Sequence, residues 1–454
     1  MAYKSFDPYT GTVSKEYDLI SNEELANIIF SSSRAYRKWK KVNIEKRQEF
    51  LFRFADLLEI EKDFHAATIT SEMGKPISQS LAEVEKSALV CRYYGDRADE
   101  FLKPRKHASS AGSSTVRFDP QGIVFAIMPW NFPYWQVIRC MAPALAAGNT
   151  MLLKHASNVP QCAENIENAV IKAGFPVDVF RNLIIDHDQV EQVLKSEFVR
   201  SVSLTGSNTA GEIIASKAGA GIKKLVLELG GNDAFIVFND ADLEKAAEAI
   251  VYGRFQNTGQ SCIASKRLFI HEQVYPEFLN LITGRIKALK MGNPSLKDTF
   301  IGPLVNKSAV LELERQVSKT VEIGAEIILG GKYGYPGDCF FEPTVLVNVS
   351  YDSPLAREEV FGPVLPVFSF RDYDELVCRV NDSRFGLACS VFTENIKIID
   401  QLSEDIDSGT VVFNSYTKSD PALPFGGVKE SGYGRELSEY GIMEFVNIKT
   451  VTVF

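Results

Sequence analysis

The sequence predicts an α/β fold with two domains built on parallel sheets. Helical periodicity dominates the first part of the chain, and from Thr115 onward short β-rich runs alternate with helical patterns. This alternation is typical of parallel sheets joined by crossover helices. It restarts after Gly230 and Gly231, the best candidate boundary between two domains. With 454 residues, 45% of them hydrophobic, the chain is long enough for more than one core.

The elements are predicted in the following order. Helices are predicted from Ser21 to Glu100, where a Ser/Asn start precedes apolar residues at three-to-four spacing. The first strand series comprises GIVFAIMP, NTMLLKHAS, VFRNLII, VRSVSLTGS and KKLVLELGG. The second strand series comprises DAFIVFND, RLFIHE, AEIILGG, FFEPTVLVNV, PVLPVFSF, SVFTE and TVVFN. A helix over Leu243 to Tyr252 is predicted between DAFIVFND and RLFIHE. The C-terminal NIKTVTVF alternates β-branched residues and predicts a strand that pairs with another segment or subunit.

Charge and hydropathy exclude several classes of partner. The net charge is −9 and no long basic run occurs, which argues against nucleic acid or an anionic membrane as the main partner and favours a small ligand. The apolar tract from Gly122 to Leu153 is interrupted by three prolines, Asn131 and Arg139, so it predicts buried core and not a membrane span. The chain start has no apolar leader pattern, and cytoplasm is therefore expected.

Cysteine and histidine patterns favour no metal or disulfide framework. The seven cysteines include no CxxC pair, and a reducing compartment is expected. The five histidines form no HExxH or HxxxH pair, so no metal site is expected. A Cys–His dyad stays open, although His271 is interpreted as a solvated histidine.

Cys262 is a candidate nucleophile. It lies in FQNTGQSCIASKR, a small, polar, turn-forming context that differs from the apolar surroundings of a structural cysteine. Glu228 ends the apolar run LVLEL, where partial desolvation would raise its pKa and suit it to general-base catalysis. A glutamate that caps a turn or pairs with a lysine is an equally good interpretation of Glu228.

Two further segments suggest ligand contacts. In PWNFPYW, the Asn131 amide beside a helix start at Pro133 could stabilise an oxyanion, and Trp135 and Arg139 share a helix face. The alternative is an aromatic core helix with a snorkelling arginine. In VRSVSLTGSNTAG, a glycine-containing turn between strand and helix could bind a phosphate, or could be an ordinary βα turn, since it matches neither GxGxxG nor a Walker A loop.

Several motifs in a fixed order add a resemblance to these local signals. PWNFP, KHASNVP, LTGS, LELGG, NTGQSC, REEVFGPV and PFGGVKESGYGRE occur at mutually consistent spacings. Together they closely resemble the NAD(P)-dependent aldehyde dehydrogenase superfamily over essentially the whole chain. WNFPYWQVIR, LKHASNVPQCA, YKSFDPYTG and KSDPALPFGG are most similar to the bacterial succinate-semialdehyde dehydrogenases.

The resemblance implies an aldehyde dehydrogenase-like fold with two Rossmann-type domains and a small β oligomerisation arm. It assigns residues 1–101, 121–230 and 422–447 to a cofactor-binding domain and residues 231–421 to a catalytic domain. Residues 102–120 and 448–454 would form the arm. A homodimer or homotetramer is expected.

The resemblance also implies a role for each matching residue. Cys262 matches the nucleophile, Glu228 the general base, and Asn131 the side-chain part of the oxyanion hole. The residues that match cofactor contacts are Trp130, Lys154, Ser157, Gly206, Ser207, Glu359 and Phe361. Those that match the substrate tunnel and its carboxylate grip are Phe132, Trp135, Arg139 and Ser419.

The implied reaction is oxidation of succinate semialdehyde to succinate through a cysteine thiohemiacetal and thioester. Glutarate semialdehyde is an alternative substrate, since one methylene gives only about 1–3 kcal/mol of discrimination. NADP is expected to be preferred over NAD, because Ser157 replaces a glutamate common in NAD-preferring relatives. Two other classes stay open: a cysteine acyltransferase or amidase that needs no nucleotide, and a catalytically silent member of the fold.

Overall fold

The helices of the protein lie between and around two large sheets. The computed structural model describes residues 3–454. Its helices are α1 (Asn22–Trp39), α2 (Ile44–Ile60), α3 (Lys62–Met73), α4 (Ile77–Phe101), α5 (Trp135–Ala146), α6 (Pro160–Lys172), α7 (His187–Lys195), α8 (Asn208–Ala220), α9 (Leu243–Phe255), α10 (Tyr275–Lys287), α11 (Lys307–Glu322), α12 (Pro354–Arg357), α13 (Tyr373–Asn381), α14 (Ile396–Asp405) and α15 (Ser438–Met443).

The strands alternate with these helices after the first helical segment. They are β1 (Tyr3–Asp7), β2 (Thr12–Tyr17), β3 (Arg105–Lys106), β4 (Ser113–Pro120), β5 (Ile123–Met128), β6 (Thr150–His155), β7 (Phe180–Asn182), β8 (Val199–Thr205), β9 (Lys224–Glu228), β10 (Asp233–Val237), β11 (Ser265–His271), β12 (Glu326–Leu329), β13 (Thr344–Val347), β14 (Val364–Phe370), β15 (Phe385–Gly386), β16 (Ala388–Phe392), β17 (Thr410–Phe413), β18 (Val428–Lys429), β19 (Gly432–Tyr433) and β20 (Val446–Val453).

Two sheets organise the molecule. The first has the order β19-β9-β8-β5-β6-β7 and is parallel except for β19. The second has the order β12-β13-β14-β11-β10-β16-β17 and is parallel except for β12. The chain passes from one sheet to the other between β9 and β10, where Gly230 and Gly231 lie. The predicted α/β class with parallel sheets is confirmed.

Each sheet is buried on both faces. In β5, Val124 and Ala126 pack in one hydrophobic cluster, and Ile123 and Phe125 pack in another on the opposite face. The strands β10 and β11 behave in the same way in the second sheet. Alternate side chains of a strand point to opposite faces, so helices cover both sides of each sheet. The apolar tract from Gly122 to Leu153 is therefore core, as predicted. In residues 3–454 no helix is long and apolar enough to span a membrane.

The C-terminal strand pairs within its own chain. β20 runs antiparallel to β4 over eight residue pairs, and β3 completes a three-stranded sheet. Seven of the eight side chains in β20 are exposed. The predicted strand is therefore present, and its partner is another segment of the same chain.

Two local predictions differ from the structure. The helix expected to start at Pro133 begins two residues later, at Trp135, because residues 130–134 form bends and turns. The hairpin of β1 and β2 was not predicted, since β2 is a mostly exposed polar segment without an apolar alternation.

Candidate active site

Cys262 follows a tightly wound loop at the end of α9. Asn257, Thr258 and Gly259 have consecutive φ values of 53°, 55° and 74°, a left-handed conformation that is costly for the two non-glycine residues. A Cβ at Gly259 would lie 2.3 Å from a facing backbone carbonyl oxygen, so only glycine fits there. The Thr258 hydroxyl accepts from Gly302 N at 3.0 Å and is 3.2 Å from its carbonyl oxygen. These contacts hold the loop, and with it the thiol, in one conformation.

The Cys262 side chain lies at the junction of two cavities. It lines a larger cavity of about 380 Å³ and a smaller one of about 220 Å³. Although Cys262 is only partly buried, desolvation raises the pKa of its thiol to about 11, and the positive charges of Arg139 and Lys266 oppose this rise. The thiol is therefore mostly protonated at neutral pH.

The larger cavity is built from two helix faces and a loop. On α4 its lining residues recur every three or four positions, which places them on one face of the helix: Gln79, Ala82, Glu83, Lys86 and Leu89. α5 contributes Trp135, Gln136 and Arg139 in the same way, and the loop at residues 416–421 contributes Ser419. Aromatic rings form much of the remaining wall: Phe132, Tyr252, Tyr416 and Phe425. The cavity thus combines apolar walls with several cationic side chains.

Two of these cations are paired with buried carboxylates. Lys75 forms an ion pair with Glu83, and both side chains are buried. Arg139 Nε lies 2.5 Å from Glu436 Oε2, and both side chains are buried. The Arg139 guanidinium also lies 4.9 Å from the ring centroid of Phe425. The charge of Arg139 is therefore shared between the cavity and Glu436.

Asn131 is held from both its backbone and its side chain. Its Nδ2 donates to the Gln260 carbonyl oxygen at 3.1 Å, and its Oδ1 accepts from Gln136 Nε2 at 3.1 Å. Its backbone carbonyl oxygen accepts from Lys75 Nζ and from Asn257 Nδ2, each at 2.9 Å. An amide nitrogen carries two hydrogens, so one remains for a ligand beside the thiol. This geometry suits stabilisation of an oxyanion.

Glu228 is buried beside the site but lines neither cavity. It ends β9 and is 3% exposed, and its two carboxylate oxygens have no hydrogen-bond partner in the part of the chain that the structure describes. Burial raises its pKa well above the usual range; the neighbouring Glu436 adds to the rise, and Arg139 opposes it. The next residue, Leu229, does line the smaller cavity. Glu228 would therefore act through a water molecule that lies between its carboxylate and the smaller cavity.

The smaller cavity opens at the carboxyl ends of β5 and β8. Gly206 and Ser207 connect β8 to α8, and Ser207 Oγ accepts from Ala210 N at 3.3 Å as the helix cap. A Cβ at Gly206 would meet nothing closer than 3.8 Å, so this backbone faces open space. The free N–H groups of the first turn of α8 suit a phosphate. The residues present therefore fit the phosphates of a nucleotide cofactor.

The opposite wall of the smaller cavity carries an aromatic pair and a carboxylate. The rings of Trp130 and Phe361 meet edge to face at 5.7 Å. Glu359 Oε1 accepts from Gly231 N at 3.1 Å, and a Cβ at Gly230 would lie 2.6 Å from Glu359 Oε2. Glycine at position 230 leaves room for the carboxylate, which can accept from sugar hydroxyls.

Lys154 and Ser157 lie outside the walls of this cavity, one strand further along the same sheet edge. Lys154 is opposite Ile127 of β5, and Ser157 follows β6 by two residues and is exposed. Desolvation lowers the pKa of Lys154. In parallel sheets, ligands bind across the carboxyl ends of adjacent strands. A nucleotide in the smaller cavity could extend along this edge to both residues.

The structure thus brings most of the predicted site residues together around Cys262. The larger cavity contains Phe132, Trp135, Arg139 and Ser419, and the smaller contains Trp130, Asn131, Gly206, Ser207, Glu359 and Phe361. Glu228, Lys154 and Ser157 lie close to these cavities without lining them. Sequence reasoning missed four charged residues: Lys75, Glu83, Lys86 and Glu436. Local sequence patterns do not indicate these four residues, because their contacts form only when helices and loops pack together in the folded protein.

The chain is similar to known proteins of one family. Residues 1–451 match the sequence model of the aldehyde dehydrogenase family. A protein of Synechocystis sp. named probable succinate-semialdehyde dehydrogenase (NADP(+)) is 43% identical over 454 residues, with 100% of both chains covered. One of Mycobacterium tuberculosis named succinate-semialdehyde dehydrogenase (NADP(+)) 1 is 42% identical, with 100% of both covered. The crystal structure of succinic semialdehyde dehydrogenase from Streptococcus pyogenes in complex with NADP+ is 36% identical, with a TM-score of 0.97 over 100% of both chains.

Proposed function

The chain belongs to the aldehyde dehydrogenase family, and on that premise we propose that it oxidises succinate semialdehyde to succinate with NADP+. Relatives named for this substrate and cofactor are 42–43% identical over the full chain. The observation that carries the proposal is the position of Cys262 between two cavities. A dehydrogenase with a cysteine nucleophile needs substrate and nucleotide on opposite sides of one thiol, and this arrangement provides both.

The first step is attack of Cys262 Sγ on the aldehyde carbon, which forms a thiohemiacetal. Burial raises the pKa of the thiol, so Cys262 is protonated at rest, and its proton passes to a water molecule of the larger cavity as the sulfur attacks. Asn131 Nδ2 and the Cys262 backbone N–H donate to the oxygen that becomes negatively charged, and the hydrogen bonds of Asn131 keep its amide preorganised. A bound NADP+ would supply the acceptor for the hydride that leaves this carbon as the oxyanion collapses to a carbonyl. The product on the protein is a thioester at Cys262.

Hydrolysis of the thioester needs a base, and we assign Glu228 to it. Its carboxylate oxygens are unpartnered within the described residues, so they are available to accept a proton from water. Its raised pKa makes it a stronger base than an exposed carboxylate. Water adds to the thioester carbon, succinate leaves, and the thiol is regenerated.

The residues that would hold the nucleotide follow the sheet edge. Gly206, Ser207 and the start of α8 would bind the phosphates, and Glu359 with the aromatic pair would bind the nicotinamide riboside. Lys154 and Ser157 would contact the adenosine 2′-phosphate, which favours NADP over NAD because no carboxylate occupies position 157. NAD is the second cofactor in this proposal.

Arg139 and Ser419 would bind the far carboxylate of the substrate, between walls formed by Phe132 and Trp135. Glutarate semialdehyde is the competing substrate.

The domain limits and the homodimer or homotetramer given above remain parts of the proposal. A cytoplasmic location is also part of it, and the seven free thiols are consistent with that location.

A substrate panel tests the proposal. Reduced-cofactor formation is measured with succinate semialdehyde, glutarate semialdehyde and butyraldehyde, each with NADP+ and NAD+. The highest kcat/KM is expected for succinate semialdehyde with NADP+. Equal or higher kcat/KM for butyraldehyde would contradict the substrate assignment, and absence of reduced cofactor with every pair would contradict the reaction.

A further inference from the structure

Lys86 differs from the other cations of the larger cavity. Lys75 and Arg139 are paired with buried carboxylates, and Lys418 is exposed. Lys86 is partly buried on the cavity face of α4, and within residues 3–454 no carboxylate lies within ion-pair distance of its Nζ. A lysine that is withdrawn from water without a counter-ion is unfavourable unless a ligand supplies one.

Two neighbours fix the position of this ammonium group. Lys86 Nζ donates to Ser419 Oγ at 2.7 Å and lies 4.3 Å from the ring centroid of Trp135. An indole face attracts a cation, and a lysine has three N–H donors, of which Ser419 uses one. Two donors therefore remain for an anion in the same cavity as Cys262.

We infer that Lys86, together with Ser419, binds the far carboxylate of the aldehyde and is a determinant of substrate specificity. This inference rests on the proposed function and adds a residue to it. Arg139 shares its charge with Glu436, whereas the charge of Lys86 is paired with no carboxylate within residues 3–454, so Lys86 adds to the positive charge that Arg139 offers the substrate. The Ser419 hydroxyl can rotate to donate to the same carboxylate while it accepts from Lys86.

The electrostatic surroundings agree with an anion site. The pKa of Lys86 is lowered to about 8, mainly by desolvation and also by the positive charges of Arg139 and Lys418, while the carboxylates of Asp420 and Glu83 oppose the change. In the free enzyme the ammonium form is therefore lost as the pH rises through about 8. A bound carboxylate would stabilise the charged form, so binding of a carboxylated aldehyde should weaken above this pH.

The test compares two aldehydes on three variants. Lys86→Met removes the charge with little change of length, Lys86→Arg keeps a charge, and Lys103→Met removes an exposed charge two residues after the end of α4, outside the cavity. For Lys86→Met, kcat/KM toward succinate semialdehyde is expected to fall at least about 30-fold, mainly through KM, while kcat/KM toward butyraldehyde changes less than about threefold. Lys86→Arg should retain most of the preference, and Lys103→Met should change it less than about threefold.

The outcomes separate this inference from the proposed function. Wild-type enzyme without a preference for succinate semialdehyde over butyraldehyde would overturn the proposed function. A wild-type preference combined with equal losses for both aldehydes in Lys86→Met would overturn only the inference, because Lys86 would then act by holding the Ser419 loop. Activity toward butyraldehyde also shows that the variant is folded.

A pH profile gives a second readout. The ratio of kcat/KM for succinate semialdehyde to that for butyraldehyde cancels the titration of Cys262 and Glu228. In wild type this ratio should fall as the pH rises through about 8, since Lys86 loses its proton there. In Lys86→Arg the fall should be absent, because arginine stays protonated. A ratio that does not depend on pH in wild type would contradict the inference.

Discussion

The two cavities that meet at Cys262 are built in different ways. The smaller cavity is lined largely by residues that directly follow strands, such as Trp130, Gly206 and Gly230. The larger cavity is lined by long side chains from α4, α5, the end of α9 and the loop at residues 416–421. Several of these side chains are ionisable, and two of them contact partners far away in sequence: Arg139 with Glu436 and Lys86 with Ser419. The smaller cavity therefore depends mainly on local chain geometry, and the larger cavity depends on tertiary packing.

This difference has a functional consequence. Backbone N–H groups at a helix start bind the phosphates that every nucleotide of this class shares. Side chains on helix faces can be exchanged without disturbing the sheet, so they are the natural place for substrate selection. We therefore expect substitutions in the larger cavity to change the aldehyde preference, and substitutions along the sheet edge to change the nucleotide preference.

The largest effect is expected at the residue that both cavities share. Cys262→Ala should lower dehydrogenase activity at least about 1,000-fold, because neither the thiohemiacetal nor the thioester can form. NADP+ binding, measured by calorimetry, should persist. The matched control is Cys378→Ala, at an exposed cysteine on α13, which should keep wild-type activity. Residual turnover of Cys262→Ala above a few per cent of wild type would rule out the nucleophile assignment.

The next effect separates the two half-reactions. Glu228→Gln should lower steady-state turnover about 100-fold while a rapid burst of reduced cofactor remains, since only hydrolysis of the thioester needs the base. In wild type the hydrolysis rate should rise with pH as the raised pKa of Glu228 is passed, and this dependence should vanish in the variant. Stopped-flow absorbance measures both phases. Loss of the burst itself would place Glu228 before hydride transfer.

A third prediction tests the buried pair behind the larger cavity. Arg139→Met leaves Glu436 buried without its counter-ion, and the free energy of unfolding should fall by about 3–5 kcal/mol. Adding Glu436→Gln should restore most of this loss, measured by urea unfolding at one protein concentration. Any deficit toward succinate semialdehyde that persists in the double variant then reports a direct contact of Arg139 with substrate. No recovery in the double variant would show that the pair is not the source of the instability.

The smallest effect is expected at the far end of the sheet edge. Ser157→Glu should weaken NADP binding by about 1–3 kcal/mol through repulsion of the 2′-phosphate, and should leave the aldehyde preference unchanged. Ser157→Ala is the control and should change the NADP/NAD ratio of kcat/KM only slightly. An unchanged ratio in Ser157→Glu would mean that residue 157 does not contact the phosphate.

The sequence predicted the strand ends and turns around the smaller cavity better than the side chains that line the larger one. Strand ends and turns carry local signals, so the run VRSVSLTGS predicted both β8 and the turn into α8 correctly. Lys86 could not be recognised in this way, because a lysine three residues after Glu83 is also typical of a solvent-exposed helix face. Only the packing of α4 against α5 shows that both residues face the cavity. The hairpin of β1 and β2 was missed for a related reason, as its polar strand has no buried face.

The central claim, that Cys262 is acylated between the two cavities, has one direct test. Glu228→Gln is mixed with succinate semialdehyde and NADP+, quenched in acid, digested and analysed by mass spectrometry. The account predicts a succinyl group on the peptide that contains Cys262, in a yield equal to the burst of reduced cofactor, and no such group when NADP+ is omitted. A succinyl group on another residue, or a burst without any acylated peptide, would contradict it.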